Sequence, residues 1–302
     1  MRSASDQNKT GRSRDDRHGL IQRTANGFRT SLLLVTVLVF FFALAFAPIP
    51  ATADRGADGE YDERSSSHFT LFQDVDIDTT SGFYGSRQFE QQILEILEAG
   101  YRNLDASLGM RPSRTITVTI HDPNIFQERF AGIFRFPAAG FYGGTIHIRG
   151  DIVVSDRLVA VLHHELVHAA FDAVLPNTAL PAWFNEGVAE WFSAQALRQS
   201  DLLAWQSDAL SKLAARGELL RLAELSSRSL GHLGPNAAQW AYLQSYGFVN
   251  YLAHVRGERR LRDLCRQLVR TGDLDDALRR VYRNDLTKLE QGFAEVLGGS
   301  SY

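Results

Sequence analysis

Hydrophobic and polar positions along this chain predict a small sheet followed by helices. Alternation predicts a half-buried strand at 115–120, and a shorter strand is predicted at 69–72. Apolar residues at helical spacing predict a helix over 88–108 between them. A phenylalanine-rich loop over 126–136 then leads to a glycine-led run at 140–148, which predicts a further strand. These elements together predict one mixed α/β region.

The rest of the chain has the periodicity of helices. An apolar stretch at 158–171 predicts a buried helix, and residues 180–192 predict a second one. Further helices are predicted over 201–215, 219–225, 237–255, 261–270, 274–282 and 286–297. We therefore expect an α+β fold in which an α/β lobe (69–200) is followed by a mainly helical lobe (201–298).

The amino terminus has the pattern of a targeting segment. Residues 1–30 carry seven basic and three acidic side chains, a net charge of +4, and an apolar run at 32–47 follows. The small residues Ala51 and Ala53 come next, which predicts a signal peptide cleaved after Ala53. A retained single-pass anchor through 32–47 is the alternative. Both interpretations place the remainder of the chain outside the cytoplasm. A cleaved signal peptide would leave it periplasmic or secreted, and a retained anchor would hold it at the membrane.

Residues 54–68 are charged and serine-rich without apolar periodicity, which predicts a flexible linker.

Net charge and cysteine content narrow the class of protein. Removing the leader's seven basic and three acidic residues from the chain's 32 and 35 leaves 25 and 32, a net charge of about −7. This balance argues against a nucleic-acid partner. Cys265 is the only cysteine, so an intramolecular disulfide is excluded.

Two histidines in the apolar stretch have the spacing of a metal site. His164 and His168 are four residues apart, so they lie on one helix face and can offer imidazole nitrogens to one tetrahedral Zn²⁺. Glu165 lies beside them, as the general base of an HExxH sequence does. A third protein ligand is needed, and Glu186 and Glu190 supply carboxylates four residues apart, with Glu186 the better candidate. A solvated helix face is the alternative interpretation of these two carboxylates.

This stretch resembles the gluzincin metallopeptidases, relatives of thermolysin and aminopeptidase N. The resemblance lies in HExxH at 164–168, seventeen intervening residues, and Asn-Glu-Gly at 185–187. It implies a zincin-like upper lobe with a twisted sheet and two metal-bearing helices. It further implies one Zn²⁺ per chain held by His164, His168 and Glu186, with Glu165 taking a proton from zinc-activated water. Glu190 matches the position of a carboxylate that orients a ligand histidine.

In that family the strand before the metal helix is the sheet edge that pairs with an extended peptide. The resemblance therefore predicts a substrate edge at 145–148, with contacts from Gly143, Gly144, Thr145 and Ile146. A hairpin turn that enters an ordinary strand is the alternative.

The resemblance also bears on the kind of peptidase. The aminopeptidase branch binds a free amino group through a glutamate, whereas residues 129–150 contain no acidic side chain, which favours an endopeptidase. The segment 241–252 resembles the aminopeptidase Tyr-x-x-Gly segment, with Ser245 in place of the glycine. This places Tyr242 where that branch has its oxyanion-binding tyrosine. Packing in the interior is the alternative for Tyr242, and Tyr246 is the second candidate for the donor.

The sequence as a whole predicts an exported zinc-dependent metallopeptidase that acts on peptide or protein substrates. Two other functions stay open. One is a non-catalytic envelope protein in which zinc is a structural staple, and the other is a hydrolase of a non-peptide amide. Glu165 argues against the first, because a structural zinc site needs no base.

Overall fold

A computed structural model describes residues 61–74, 86–135, 138–150, 153–199 and 201–298. The predicted signal or anchor segment (1–53) and the first part of the predicted linker (54–60) lie outside these ranges. Within the described ranges, no helix has both the length and the apolar character needed to cross a membrane.

The described strands form one mixed sheet. They are β1 (Asp62–Ser65), β2 (Phe69–Gln73), β3 (Ile116–His121), β4 (Gly140–Tyr142) and β5 (Ile146–Arg149). The strand order is β1-β2-β3-β5-β4. β2, β3 and β5 run parallel in the centre, and β1 and β4 pair antiparallel at the two sides. The sheet therefore has two different edges, one of which is β4.

Helices make up most of the remaining described chain. They are α1 (Ser86–Asn103), α2 (Pro123–Phe130), α3 (Asp156–Val174), α4 (Ala182–Ala196), α5 (Ala204–Ala215), α6 (Pro235–Arg256), α7 (Glu258–Thr271), α8 (Leu274–Tyr282) and α9 (Leu286–Gly298). A π-helical turn (Leu104–Leu108) extends α1, and a 3₁₀ turn (Leu222–Leu225) precedes α6. The mixed α+β fold with a helical second half is thus confirmed.

One face of the sheet forms the hydrophobic core with α1 and α3. Side chains alternate between the two faces of a strand, so every second residue of the central strands points to these helices. The residues concerned are fully or almost fully buried: Phe69, Leu71, Ile116, Val118, Ile120, Ile146 and Ile148. This packing fixes α3, which carries the HExxH sequence, directly against the sheet.

The prediction of a flexible linker up to residue 68 was wrong for its described part. Residues 62–65 form β1, which pairs with β2. The strand is mostly exposed, so it lacks the apolar alternation by which a strand is recognised in sequence. Backbone pairing and the ion pair between Arg64 and Glu90, 2.6 Å apart, hold it instead.

The predicted phenylalanine-rich loop begins inside a helix. α2 starts at Pro123, which has no N–H and is favoured at a first helical position. The Asp122 side chain caps the helix by accepting hydrogen bonds from the amides of Asn124 (2.7 Å) and Ile125 (3.3 Å). The helix covers the second face of the sheet, and its Phe130 packs against the rings of this face.

That second face carries a pair of histidines. His121 Nε2 lies 3.0 Å from His147 Nδ1, and the Tyr61 hydroxyl lies 3.1 Å from His121 Nδ1. Burial, His147 and the charge of Arg129 lower the pKa of His121 to about 4. Neutral rings suit this setting, because Phe130 and Phe141 pack against His147 at ring-centroid distances of 5.1 and 4.9 Å.

The region predicted as a single strand is a hairpin, so the prediction of an edge at 145–148 was wrong. β5 pairs with β3 on one side and with β4 on the other. Gly143 donates to the Thr145 carbonyl (3.0 Å), and Gly144 has a φ of 90°, which a glycine adopts without strain. The turn places β4, and not β5, at the edge of the sheet.

Helices from both sides of the predicted lobe boundary pack closely. A Cβ atom at Gly187 on α4 would lie 2.5 Å from the Ser245 carbonyl oxygen and 2.7 Å from Val249 Cγ2, both on α6. Only glycine permits this approach. The boundary at residue 200 stays a prediction, but α6 lies directly on the helix that contains the Asn-Glu-Gly sequence.

Candidate metal centre

Helix α3 presents the two histidines of the HExxH sequence. Ser155 caps the helix by accepting a hydrogen bond from the Leu158 amide (3.2 Å). One and a half turns of buried apolar residues follow before His164 and His168, whose ring centroids are 4.9 Å apart. Both side chains are about nine-tenths buried. The helix thus directs two imidazoles to the same point, as the spacing predicts.

Helix α4 brings Glu186 to that point. Its Oε2 lies 3.3 Å from His164 Nε2 and 3.4 Å from His168 Nε2. One donor atom from each of the three side chains can be chosen so that all lie within 4.8 Å of one another. Two donors about 2.0–2.1 Å from a tetrahedral zinc ion stand about 3.3–3.4 Å apart. The arrangement and chemistry of these side chains therefore fit a zinc ion.

An open cavity of about 570 Å³ lies against this cluster. Glu165 lines it beside the histidines, and Tyr242 on α6 also lines it. β4 forms another part of the wall, whereas Gly143, Gly144, Thr145 and Ile146 do not line it. The structure thus brings together the predicted ligands, Glu165 and Tyr242, and separates from them the predicted substrate contacts.

Most of the described chain matches the sequence profile of one protein family. The sequence profile of the Peptidase MA superfamily matches residues 103–299, well over half of the chain. The chain belongs to the Peptidase MA superfamily. All three candidate ligands and both helices that carry them lie within the matched region. Comparison with curated protein sequences finds no match. Members of this superfamily are typically metal-dependent peptidases, while the closer relation to thermolysin and aminopeptidase N stays a prediction.

Opposite charges stabilise the ligand cluster of this Peptidase MA domain. Burial would raise the pKa of Glu186, but His168 and hydrogen bonds with both histidines hold it below its ordinary value. Burial would lower the pKa of His164, but the Glu186 and Glu190 carboxylates raise it to about 9. The histidines thus supply the positive charge that the buried carboxylates need, and a bound cation would take over this role.

Glu190 lies on the far side of His164. Its Oε1 is 3.4 Å from His164 Nδ1, while Glu186 is near the other ring nitrogen. Burial and the charge of Glu186 raise the pKa of Glu190 to about 7, against the opposing effect of His164. A carboxylate behind a ligand histidine fixes the orientation of its ring. This is the place that the resemblance implies for Glu190.

Glu165 lies beside the candidate ligands and accepts a hydrogen bond from the edge strand β4. Burial raises the pKa of its carboxyl group, and the charges of His164 and His168 partly oppose this. A hydrogen bond from the Tyr142 backbone amide also lowers it. Glu165 therefore combines two features of a general base, a position at the cavity and a raised affinity for a proton.

The two tyrosine candidates have different surroundings. The Tyr242 side chain lines the cavity and hydrogen-bonds with Glu186. Burial and the nearby carboxylates raise the pKa of Tyr242 well above its ordinary value, so it stays a hydrogen-bond donor. Tyr246 does not line this cavity, and its hydroxyl lies 3.5 Å from Gln199 Nε2.

Sequence reasoning missed a polar cluster at the rim of the cavity. The Tyr142 hydroxyl donates to Asp172 Oδ2 (2.7 Å), and Arg114 donates to both the Tyr142 oxygen (2.8 Å) and Asp172. Asp172 follows His168 by four residues, so helical spacing could have placed it next along the metal-binding face. Tyr142 could not be found in this way, because its place depends on the hairpin.

Proposed function

We propose that this protein is an exported zinc metallopeptidase that cleaves peptide bonds within peptide or protein chains. The cluster of His164, His168 and Glu186, with Glu165 beside it at an open cavity, carries the proposal. Structural zinc sites are closed and usually have four protein ligands. Among the described residues this cluster offers three, and a cavity lies against it. These features favour a catalytic site over a structural staple.

In the proposed mechanism, His164, His168 and Glu186 hold the metal. When bound, zinc supplies a Lewis acid that polarises a carbonyl group and acidifies water. Glu165 accepts the proton of the attacking water and passes it to the leaving nitrogen. The Tyr142 amide holds the Glu165 carboxylate in place during this transfer. Glu190 keeps the His164 ring in its orientation.

Strand β4 offers a binding edge for an extended peptide. Ala139 and Gly143 direct their main-chain hydrogen bonds towards β5. By the alternation of antiparallel strands, Gly140 and Tyr142 direct theirs away from β5, on the side of the cavity. The Tyr142 amide already donates to Glu165. The Tyr142 carbonyl and the amide and carbonyl of Gly140 would then pair with a substrate. Such pairing holds a peptide by its backbone beside the catalytic groups.

Tyr242 is the proposed donor to the developing oxyanion. A phenol can donate a hydrogen bond to negative charge without competing for the metal. Its place at the cavity, next to Glu186, supports this role over that of an interior packing residue. Export is proposed from the basic and apolar pattern of residues 1–53.

The proposal is tested on the full-length chain purified in detergent. A library of synthetic peptides is incubated with the zinc-loaded protein, and products are identified by mass spectrometry. We expect internal cleavages that a chelator abolishes and added zinc restores. A parallel preparation of Glu165→Gln controls for contaminating peptidases. Cleavage that survives chelation, or that is equal in both preparations, contradicts the proposal. Stoichiometric metal without any peptide cleavage would favour one of the two alternatives, a structural zinc site or a hydrolase of a non-peptide amide.

A further inference from the structure

Most of the charged side chains that line the cavity have a neighbour of opposite charge. The acidic ones are Glu165, Asp172, Glu186 and Glu190. Asp172 pairs with Arg114, and the three glutamates lie close to the two histidines. Every one of these carboxylates therefore has a cationic neighbour.

Arg228 is the exception among the charged groups of the wall. In the described ranges it is the only arginine or lysine that lines the cavity, and it is exposed. None of the hydrogen bonds or ion pairs found among the described residues involves its guanidinium group. A peptide that covers this group displaces some of its water, and an acidic group of the peptide would then be a favourable partner, since an unpaired charge is costly to desolvate.

The backbone around Arg228 is held in place. The Ser227 carbonyl accepts a hydrogen bond from the Ala182 amide (2.9 Å), and the Ser227 hydroxyl donates to the Ser229 carbonyl (2.9 Å). Leu230 is buried in the core. Arg228 thus lines the cavity from a backbone that is anchored beside the first residue of α4.

This point is near the candidate metal ligands. Ala182 precedes Glu186 by four residues, which is about 6 Å along the helix. An extended peptide spans about the same distance with two residues. Because Arg228 and the candidate ligands line the same cavity, a group bound by Arg228 belongs to a part of the peptide near the scissile bond.

We propose that Arg228 binds a carboxylate of the peptide substrate. Arginine presents a planar fork of donors that matches a carboxylate with two parallel hydrogen bonds. The inference rests on the proposed peptidase function. The carboxylate is that of an aspartate or glutamate side chain or that of the peptide's carboxyl terminus, and both present the same chemistry.

The test compares four full-length, zinc-loaded proteins on one peptide library in free-acid and amidated forms. They are the wild type, Arg228→Gln, Arg228→Glu and the control Arg221→Gln. Arg221 is also exposed but pairs with Glu224 and does not line the cavity. Mass spectrometry gives the residue preference on each side of every cleaved bond.

We expect the wild type and Arg221→Gln to prefer Asp and Glu over Asn and Gln about tenfold or more at one position. Arg228→Gln loses this preference, and Arg228→Glu reverses it towards Lys and Arg. If the terminal carboxylate is bound instead, wild-type cleavage lies near the carboxyl terminus and amidation abolishes this bias. A wild-type preference that is absent, or that persists in Arg228→Gln, overturns the inference while peptide cleavage itself still stands.

A binding measurement separates this inference from the proposed function. The same libraries are passed over immobilised Glu165→Gln protein, with and without Arg228→Gln, and retained peptides are identified by mass spectrometry. Retention of carboxylate peptides that depends on Arg228 supports the inference even where no cleavage occurs. Equal retention by both proteins, or none by either, overturns it.

Discussion

The backbone amide of Tyr142 donates a hydrogen bond to the carboxylate of Glu165, while the Tyr142 hydroxyl donates to Asp172. These two acidic residues lie about one helical turn before and one turn after His168 on α3. A single residue of the edge strand therefore contacts the metal helix on both sides of a candidate ligand. The position of β4 and the position of the proposed base are set together.

Replacing Glu165 with Gln removes the proposed proton acceptor but leaves the three candidate ligands. We expect metal content to stay near one zinc per chain and kcat to fall by about 10²- to 10⁴-fold. Elemental analysis and peptide kinetics measure the two effects. Glu128→Gln, on the exposed side of α2, is the matched control. Retained turnover in metal-loaded Glu165→Gln would remove this residue from the mechanism.

Glu190→Gln tests the carboxylate behind His164. The His164 ring keeps a neighbour that can accept a hydrogen bond but loses a negative charge, so zinc affinity is expected to fall about 10- to 100-fold. Competition with a chromogenic chelator measures the affinity. His168→Ala is expected to lose stoichiometric metal altogether, as a ligand substitution does. An unchanged affinity in Glu190→Gln would show that the carboxylate has no orienting role.

Tyr242→Phe keeps the ring and deletes the hydroxyl. If Tyr242 stabilises the oxyanion, kcat falls about 100- to 1,000-fold with little change in KM. Tyr246→Phe is the matched control, because it lies one turn along the same helix and outside the cavity wall. A kcat of Tyr242→Phe equal to those of the wild type and of Tyr246→Phe would leave Tyr242 with a packing role only.

The histidine pair predicts a loss of stability in acid. The pKa of His121 is about 4 in the folded state and about 6.5 when unfolded. The unfolded state therefore binds a proton first as the pH falls, so this stability is present above pH 6.5 and is lost towards pH 4. The expected change is about 3 kcal/mol.

Urea unfolding of the chelated protein across this pH range measures the effect without a contribution from metal release. His121→Gln deletes the titrating ring and should flatten the dependence. The same slope in wild type and variant would contradict this prediction, whatever the stability of the variant at neutral pH.

Gly187→Ala tests the contact between α4 and α6. Its Cβ would overlap the Ser245 carbonyl oxygen, a backbone atom that cannot rotate away. We expect a destabilisation of about 1–3 kcal/mol in urea unfolding, together with weaker zinc binding because Glu186 is the adjacent residue. Gly298→Ala, which meets no atom within 4 Å, is the control. Equal stability of the two variants would show that the helices adjust without cost.

The parts of the centre that depend on helical periodicity were predictable from the sequence. Four-residue spacing places His164 with His168 and Glu186 with Glu190, and these relations hold without knowledge of the rest of the fold. The approach of α4 to α3 was inferred from the need of a zinc site for a third protein ligand and from the resemblance. The structure brings their side chains to 3.3–3.4 Å.

The parts that depend on strand pairing were not predictable. β4 has only three residues, none of them fully buried, so no alternation marks it. His121 and His147 are 26 residues apart and meet because β3 and β5 are parallel neighbours. The identity of an edge strand is likewise a property of the whole sheet, and no local pattern contains it.

The glycine contact at residue 187 also bears on how a substrate would be bound under the proposed function. α3 and α4 are joined through the ligand cluster, and α4 and α6 are joined where Gly187 meets Ser245. The helices that carry Glu186 and Tyr242 are therefore packed directly against each other. β4, by contrast, is a three-residue strand held by β5 and by the contacts of Tyr142. Under the proposed function, a peptide would therefore be bound on one side by this thin strand and on the other by tightly packed helices.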